Sequence, residues 1–450
     1  SLGNSAFYGC SSLQTLTLPE GITSLGYSAF SGCSRLETVT LPGTLREFGS
    51  AFSDCGALKE VIVSEGITEI DSSAFFGCSS LERAVLPESL EQIGSGAFYG
   101  CGSLTEISLP DGVRSIGDRA FAENGALSRI ELPSSVEEIG NEAFSDCTAL
   151  SSIVIPAGTQ EIGYQAFSGC TALVSAELPE GVRLDERLFF GCTALADVRI
   201  PSDLAEIPSQ AFSGCVSLEQ VELPEGLTEI GDRAFLESGL TSVSLPAGLE
   251  SLGGNAFENC PSLSGTVVIP EKIAYLEQSV FYGCPLLEEV KLPEGLQGIS
   301  AYAFWGCASL TEIVIPGQVA YVSRDAFRDC TSLRRVTIYG ENVDLNTSAF
   351  SGCTALESFS GLAGSTAESY AQRLGIPFTV IGEVKAPELE TMEANIGMAQ
   401  SGEGKEIYVR TIVSEQSVFD TVILEYSWDG DQYTEFGRTE ERDAYWHVPV

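Results

Sequence analysis

The chain has 450 residues, of which 44% are hydrophobic, and its 63 Asp and Glu against 23 Lys and Arg give a formal net charge of −40. A field of that sign repels nucleic acid and anionic membrane surfaces, so functions that track phosphate groups are disfavoured. No run approaches the roughly 18 apolar residues that a membrane helix needs. We therefore expect no nucleic-acid partner and no membrane insertion.

The first residues, "SLGNSAF", lie in the middle of a repeat and carry neither Met nor a basic and then apolar leader. A secretion signal would have that composition. The expectation is that a targeting signal and earlier repeats were removed, so the start of this sequence does not argue against secretion.

A unit of 22 to 24 residues then recurs along residues 1–363. Each unit reads roughly L-x-x-[ILV]-x-[LI]-P-x-G-[VL]-x-x-I-G-x-x-A-F-x-G-C-x-x. The sixteen phenylalanines that mark it are Phe7, Phe30, Phe52, Phe75, Phe98, Phe121, Phe144, Phe167, Phe189, Phe212, Phe235, Phe257, Phe281, Phe304, Phe327 and Phe350. A period of 20–50 residues is typical of a solenoid, because a single unit buries its apolar face only against its neighbours.

The elements of one unit follow from its pattern. Alternating apolar residues in L-x-x-L-x-L predict a short parallel strand that ends at Pro. A second short strand follows, as in "GVRSIG" at 112–117, and the "xxAFxGC" segment is predicted to be a short helical or 3₁₀ turn. The fold class is therefore a leucine-rich-repeat solenoid of about sixteen units, in which Phe stacks on Phe and Cys on Cys.

All 14 cysteines lie three residues after one of these phenylalanines, and only Asn124 and Ser238 replace one. No two cysteines are close enough in sequence for the paired spacing of a zinc site. Stacked side chains about 4.8 Å apart are also too widely separated for a disulfide. The pattern predicts buried free thiols and no metal, which implies a reducing compartment or an anoxic exterior.

Residues 364–382 are predicted to form a C-terminal helical cap. Ser365 or Thr366 would begin a short helix whose apolar side covers the last repeat, and Gly375 would end it.

The period stops at residue 383, and 383–450 are predicted to form a small all-β, sandwich-like domain. "EVKAPELE" would be a linker before three alternating strands, and Asp429-Gly430 is a strong hairpin signal. With about 68 residues, this domain is smaller than the roughly 100 residues of an immunoglobulin-type sandwich, so it is a smaller variant or incomplete.

The sequence carries no recognisable catalytic constellation, and we predict a protein that is not an enzyme and needs no cofactor. The only histidine is His447, so Ser-His-Asp, Cys-His and His-metal sites are missing. The "WDGDQY" segment at 428–433 lacks the remaining ligands of a calcium loop. Carboxylates are numerous because the repeat recurs, and a regular solenoid offers no deep pocket for a glycosidase pair.

The remaining candidate site is the outward face of the first strands, where two columns of side chains cross the sheet. Opposite charges meet there, with β-branched residues on either side. The predicted partner-binding residues are Glu106, Arg129, Glu131, Glu177, Asp197, Arg199 and Glu222. A solvated sheet with charge pairs worth under about 1 kcal/mol each is the alternative interpretation.

The repeated "IGxxAFxGCxxLxxIxIP" pattern of residues 1–382 resembles the BspA-like class of leucine-rich-repeat surface proteins. The resemblance implies a secreted or cell-surface bacterial protein, with members that act as adhesins for host matrix proteins or other bacteria. It transfers no catalytic residues.

The favoured hypothesis is an extracellular recognition or adhesion protein, expected to be a monomer, that presents its sheet to a host matrix protein or a surface glycan. One alternative is a structural spacer or cell-wall component that displays another module. A second is the substrate-holding part of a secreted hydrolase.

Overall fold

A computed structural model describes residues 1–381 and three further strands, Tyr408–Val413, Val422–Ser427 and Thr434–Thr439. The chain divides into two compact units, Ser1–Thr379 and Val380–Val450. Among the described residues, no helix combines the length and the apolar character needed to cross a bilayer.

The first unit is built from short parallel strands that form two series along the repeats. The first series comes from the L-x-x-[ILV]-x-[LI] motif, where inward apolar residues alternate with outward polar ones, as in Glu106–Ser108. Its strands are β1 Thr15–Thr17, β2 Thr38–Leu41, β3 Glu60–Val63, β5 Arg83–Val85, β7 Glu106–Ser108, β9 Arg129–Glu131, β11 Ser152–Val154, β13 Ser175–Glu177, β15 Asp197–Arg199, β19 Gly265–Val268, β21 Leu287–Lys291, β23 Glu312–Ile315, β25 Arg335–Ile338 and β27 Ser358–Gly361, with β28 Phe378–Val380 beside β27. We call this surface the first sheet.

The second series comes from the x-I of the "IG" segment, and each strand has only two residues. Its strands are β4 Glu69–Ile70, β6 Gln92–Ile93, β8 Ser115–Ile116, β10 Glu138–Ile139, β12 Glu161–Ile162, β14 Arg183–Leu184, β16 Glu206–Ile207, β17 Glu229–Ile230, β18 Ser251–Leu252, β20 Tyr275–Leu276, β22 Gly298–Ile299, β24 Tyr321–Val322 and β26 Asp344–Leu345. Neighbouring strands pair in register within three ladders, β4 to β14, β16 to β18 and β20 to β26, so that Glu138 lies beside Glu161 and Ile139 beside Ile162. We call this surface the second sheet.

The connecting "xxAFxGC" segment is a series of hydrogen-bonded turns, so the predicted helical or 3₁₀ segment is wrong in this detail. Its N–H groups alternate between two acceptors: Phe98 donates to Ala120 in the next unit, whereas Cys101 donates to Phe98 in its own unit. Residues at Phe−2 in most units and at Phe+2 in all of them have positive φ, for example Glu142 and Gly169. A left-handed residue cannot continue a right-handed helix, and two in one segment prevent a helix from forming.

The predicted stack of phenylalanines fills the interior. Phe30 and Phe52 have ring centroids 5.5 Å apart and nearly parallel planes, and Phe144 and Phe167 are 5.3 Å apart. These four rings are fully buried. Burial of one such side chain contributes about 1.5–3 kcal/mol, so the column is a principal source of cohesion between units.

The cysteines are free, as predicted, and all are buried except Cys10, which is exposed, and Cys353, which is half-buried. They also have a role that the repeat pattern did not reveal. The thiol of Cys78 donates a hydrogen bond to the carbonyl oxygen of Phe52 at 3.2 Å, and the equivalent bond recurs in neighbouring units. Each cysteine except Cys10 therefore joins its unit to the preceding one.

The strand pairing of the first sheet is broken between β5 and β7, between β9 and β11 and between β21 and β23. The longest interruption lies between β15 and β19, where the repeat predicts strands near residues 219–223 and 241–245 and the structure has none. Leu240 follows Phe235 by five residues, whereas Leu127 follows Phe121 by six. Gly265 then adds a residue, and the ladder between β19 and β21 shifts register at this position. These length changes displace the backbone from the hydrogen-bonding register of its neighbours.

The array closes with helix α1, Thr366–Leu374. Ser365, one of the two expected capping residues, is the N-cap and accepts a hydrogen bond from the backbone N–H of Glu368. Gly375 ends the helix in a left-handed conformation, also as expected. Tyr370 is buried edge-on against Phe350, so the helix covers the last ring of the phenylalanine stack.

In the second unit, the three described strands, β29 Tyr408–Val413, β30 Val422–Ser427 and β31 Thr434–Thr439, form an antiparallel sheet in that order. They coincide with the three predicted strand segments. The predicted linker at 383–390, the turn at Asp429-Gly430 and His447 lie outside the described residues, and the sandwich stays a prediction.

Candidate recognition surface on the first sheet

The outward face of the first sheet is built by the strand period of two. In β9, Ile130 is buried in the core while Arg129 and Glu131 on either side of it are exposed. Because the units pair in register, outward side chains of successive strands form columns. The face is therefore a broad polar surface held by a rigid core.

All seven predicted partner-binding residues are exposed, and six of them lie on strands of this sheet. Glu222 is the exception, because it lies in the interrupted segment where no strand forms. The structure brings the other six together as two groups rather than as one continuous cluster.

The first group comprises Glu106, Arg129 and Glu131 on β7 and β9. Glu106 lies directly opposite Arg129 in the parallel ladder. The guanidinium of Arg129 nevertheless pairs with Glu131 on its own strand. Both side chains of this pair are mostly exposed, so it contributes about 1 kcal/mol or less to stability and can exchange for another partner.

The second group comprises Glu177, Asp197 and Arg199 on β13 and β15. Glu177 lies opposite Arg199 in the parallel ladder. Asp197 precedes Arg199 on the same face of β15. Within residues 1–381, no carboxylate lies within ion-pairing distance of Arg199. Its guanidinium is thus available for a ligand, with a planar set of donors suited to carboxylates.

Between the two groups lies β11, whose Val154 side chain is 60% exposed. A large β-branched side chain exposed to this degree and flanked by charges resembles the apolar centre and polar rim of a protein interface. Val154 was not among the predicted site residues, although the strand period of two places it on the outward face.

Elsewhere on the same face, arginines form ion pairs with glutamates. Arg83 pairs with Glu60 across the strands at 2.8 Å, and Arg335 pairs with Glu312 at 2.6 Å. Neither Arg335 nor Glu312 was among the residues predicted for this face, so sequence reasoning missed the second pair. The contrast identifies Arg199 as an arginine of this sheet that its neighbours leave unpaired.

The buried thiols offer no chemistry to this surface. Burial raises the pKa of Cys101 and of Cys147 to about 12, so both stay protonated at neutral pH. In the part of the chain that the structure describes, no cluster of three His, Cys, Asp or Glu side chains could hold a metal ion.

Several solved structures are similar to this chain. A leucine-rich repeat protein from Bacteroides ovatus is 27% identical over 82% of this chain and 92% of its own, with a TM-score of 0.65. A leucine-rich repeat protein from Eubacterium ventriosum is 20% identical over 66% and 83%, with a TM-score of 0.45. A leucine-rich cell surface protein from Faecalibacterium prausnitzii is 21% identical over 80% and 90%, with a TM-score of 0.31. No curated protein matches the chain.

The model of the BspA type leucine-rich repeat region matches residues 1–92, 70–193, 139–264 and 265–367, which together span most of the chain. Solenoids of this kind are typically scaffolds that present an extended binding surface rather than enzymes. By this match and by its parallel stack of repeats, the chain belongs to the BspA-type leucine-rich repeat family.

Proposed function

We propose that this chain is a recognition protein of the bacterial cell surface that binds a protein partner through the first sheet. The observation that carries the proposal is the exposed Val154 on β11, with the charged groups of β9 and β15 on either side. Family membership supports a binding role, because solenoids of this type offer extended surfaces to partners.

The chemistry of the face fits an extended protein segment. Arg199 supplies an unpaired fork of donors for a partner carboxylate, and Val154 supplies apolar contact area. Arginine is enriched among residues that dominate binding energy at interfaces. Since the whole chain carries −40, the arginines also determine where an acidic partner segment can approach.

The test is saturable binding of the chain to a panel of immobilised extracellular-matrix proteins, among them collagen and laminin, at physiological salt. A protein of similar net charge serves as the reference for non-specific adsorption. We expect binding that the reference lacks and that weakens by about tenfold or more when Arg129 and Arg199 are both changed to Ser.

The matched control changes Arg114 and Arg233 to Ser, which removes the same charge from positions outside the first sheet. Equal loss of binding in both double variants would show that only net charge matters and would contradict a site on the sheet. If the chain bound saturably to no protein of the panel, the structural-spacer alternative would be favoured.

A further inference from the structure

The outward column of the second sheet changes character along the array. Between β10 and β17 it is mostly acidic, with Glu138, Glu161, Glu206 and Glu229 and a single arginine, Arg183, among them. From β20 onward it reads Tyr275, Gly298, Tyr321 and Asp344 on four adjacent parallel strands. An acidic surface thus gives way to an aromatic one, on a sheet that the proposed function does not use.

Gly298 lets Tyr321 lie across the sheet. A Cβ atom on Gly298 would be 2.3 Å from Cζ of Tyr321 and 2.6 Å from its hydroxyl oxygen, so no residue with a side chain fits beneath the ring. The ring therefore covers β22, and its other side faces solvent. Tyr275 on the far side of Gly298 is 44% exposed, and its hydroxyl donates to Gln297 at 2.7 Å.

An open groove of about 480 Å³ adjoins Tyr321 on the side toward β26. Ser323, Arg324, Asp344 and Asn346 line it with polar groups. Among the described residues, neither the carboxylate of Asp344 nor the guanidinium of Arg324 has an ion-pair partner. Both are therefore free to hydrogen-bond a ligand in the groove.

Arg324 is instead held by an aromatic ring. Its guanidinium carbon lies 4.9 Å from the ring centroid of Tyr302, a cation–π arrangement that fixes the side chain beside the groove. Tyr302 has φ of +63°, in the left-handed region that bulky residues rarely adopt. In the other units this position holds a side chain that is smaller or is not aromatic, such as Ser279 or Asp325.

We propose that this groove and the tyrosine platform beside it bind the neutral hexose residues of a polysaccharide. A hexose ring has an apolar face of C–H groups, which packs on an aromatic ring, and a rim of hydroxyls, which bond to carboxylate, amide and guanidinium groups. Tyr321 supplies the first surface, and Asp344, Asn346 and Arg324 supply the second. We name these four residues the glycan groove.

Two further features define the ligand class. The unpaired charges of Arg324 and Asp344 are opposite in sign, and the chain carries −40, so an anionic glycan is disfavoured. Tyr275 lies two strands from Tyr321, and the Tyr321 ring lies over the strand between them, so the two aromatic side chains occupy the same part of the second sheet. A polymer can therefore contact both rings.

The test is affinity electrophoresis and calorimetry of the whole chain with laminarin, galactomannan, xyloglucan and yeast mannan, beside polygalacturonate and chondroitin sulfate as anionic polymers. We expect binding to at least one neutral polymer. Tyr321→Ala should weaken it at least tenfold, and Tyr321→Phe should retain it because the ring stays. Tyr27→Ala is the matched control, since Tyr27 is a tyrosine that is 68% exposed and lies near the start of the array, far from the groove.

Asp344→Ala provides an independent variant, because Asp344 is exposed and its loss leaves the core intact. It should also weaken binding at least tenfold, which decides the matter if Tyr321→Ala fails to fold. The proposal would be overturned if the chain bound none of the neutral polymers or bound only the anionic ones. It would also be overturned if Asp344→Ala bound as tightly as the unchanged chain. The variant with Arg129 and Arg199 changed to Ser should bind the polysaccharide normally, which separates this site from the proposed protein-binding face.

Discussion

The thiol of Cys147 donates a hydrogen bond to the carbonyl oxygen of Phe121 at 3.1 Å, across the boundary between two successive units. The same bond links Cys170 to Phe144 and Cys192 to Phe167. A cysteine at this position is therefore a small buried donor that satisfies a backbone acceptor of the unit before it. This relationship explains why the residue recurs and what a substitution there should do.

Asn124 occupies the cysteine position of its unit, and both polar atoms of its fully buried amide lack a hydrogen-bond partner within the described residues. We expect Asn124→Cys to stabilise the chain by about 1–3 kcal/mol, because a buried unsatisfied amide is replaced by a donor of suitable size. Urea unfolding followed by circular dichroism measures the change.

The control for this variant is Ser238→Cys. Ser238 also replaces a cysteine, but its hydroxyl already bonds to Sγ of Cys260 at 3.3 Å, so we expect little change in unfolding free energy. An equal gain from both substitutions would contradict an explanation based on the unsatisfied amide.

Thiol reactivity should divide the cysteines by burial. Cys10 is exposed and Cys353 is half-buried, whereas burial raises the pKa of the Cys307 thiol to about 12. Since the thiolate is the reactive form, a chromogenic disulfide reagent at neutral pH should modify one thiol quickly, a second slowly and the others only in denaturant. Cys10→Ser should abolish the fast phase, and a fast phase that persists in this variant would refute the assignment.

The phenylalanine stack should be most sensitive at its centre. Phe144 is fully buried between Phe121 and Phe167, and we expect Phe144→Ala to lower the free energy of unfolding by about 3–5 kcal/mol. A cavity at an interface between units also weakens their coupling, so unfolding in urea should occur at lower concentration or in two steps. Phe7→Ala, at a ring that is 43% exposed, should have a smaller effect.

Left-handed positions occupied by residues other than glycine store conformational strain. Gln210 has φ of +58° and no side-chain hydrogen bond with another described residue. Gln210→Gly should raise the free energy of unfolding by about 1 kcal/mol, because the strain of a Cβ atom in this region is removed. Gly214→Ala, at φ of +76°, should lower it, and thermal unfolding of the two variants tests these opposite signs.

Repulsion on the second sheet should make stability depend on pH. Glu206 lies directly beside Glu229, and partial burial together with the charge of Glu229 raises the pKa of the Glu206 carboxyl. A raised pKa means that stability is greatest when this group is protonated and falls as the pH rises through the folded-state pKa. Glu206→Gln should therefore stabilise the chain at neutral pH by about 0.5 kcal/mol, with the advantage disappearing at mildly acidic pH.

Glu161→Gln is the counterpart. Glu161 also lies beside a glutamate, Glu138, but it pairs with Arg183 at 2.6 Å on its other side. Glu161→Gln should not raise the free energy of unfolding, which urea unfolding at neutral pH measures. A gain equal to that of Glu206→Gln would mean that overall charge, rather than the local pair, sets the effect.

The repeat, the stacked core and the end of the array could all be predicted from the amino-acid sequence alone. A period of about 23 residues with Phe, Cys and Leu at constant offsets requires that equivalent positions stack, so burial of Phe144 and Cys147 follows from the pattern alone. The α1 cap was also readable, because Ser365 and Gly375 act on backbone groups within a few residues of themselves.

The contacts between side chains about 23 residues apart could not be predicted in this way, because they depend on how the units pack. Register alone places Arg199 opposite Glu177 and Arg83 opposite Glu60, yet only the second pair forms an ion pair, because the side-chain rotamers and local twist decide the contact. The one-residue change between Phe235 and Leu240 was visible, whereas the loss of strands around it depended on hydrogen bonds to both neighbouring units. The position of Tyr321 over Gly298 likewise exists only once β22 and β24 pair, since nothing in either local sequence reveals the other.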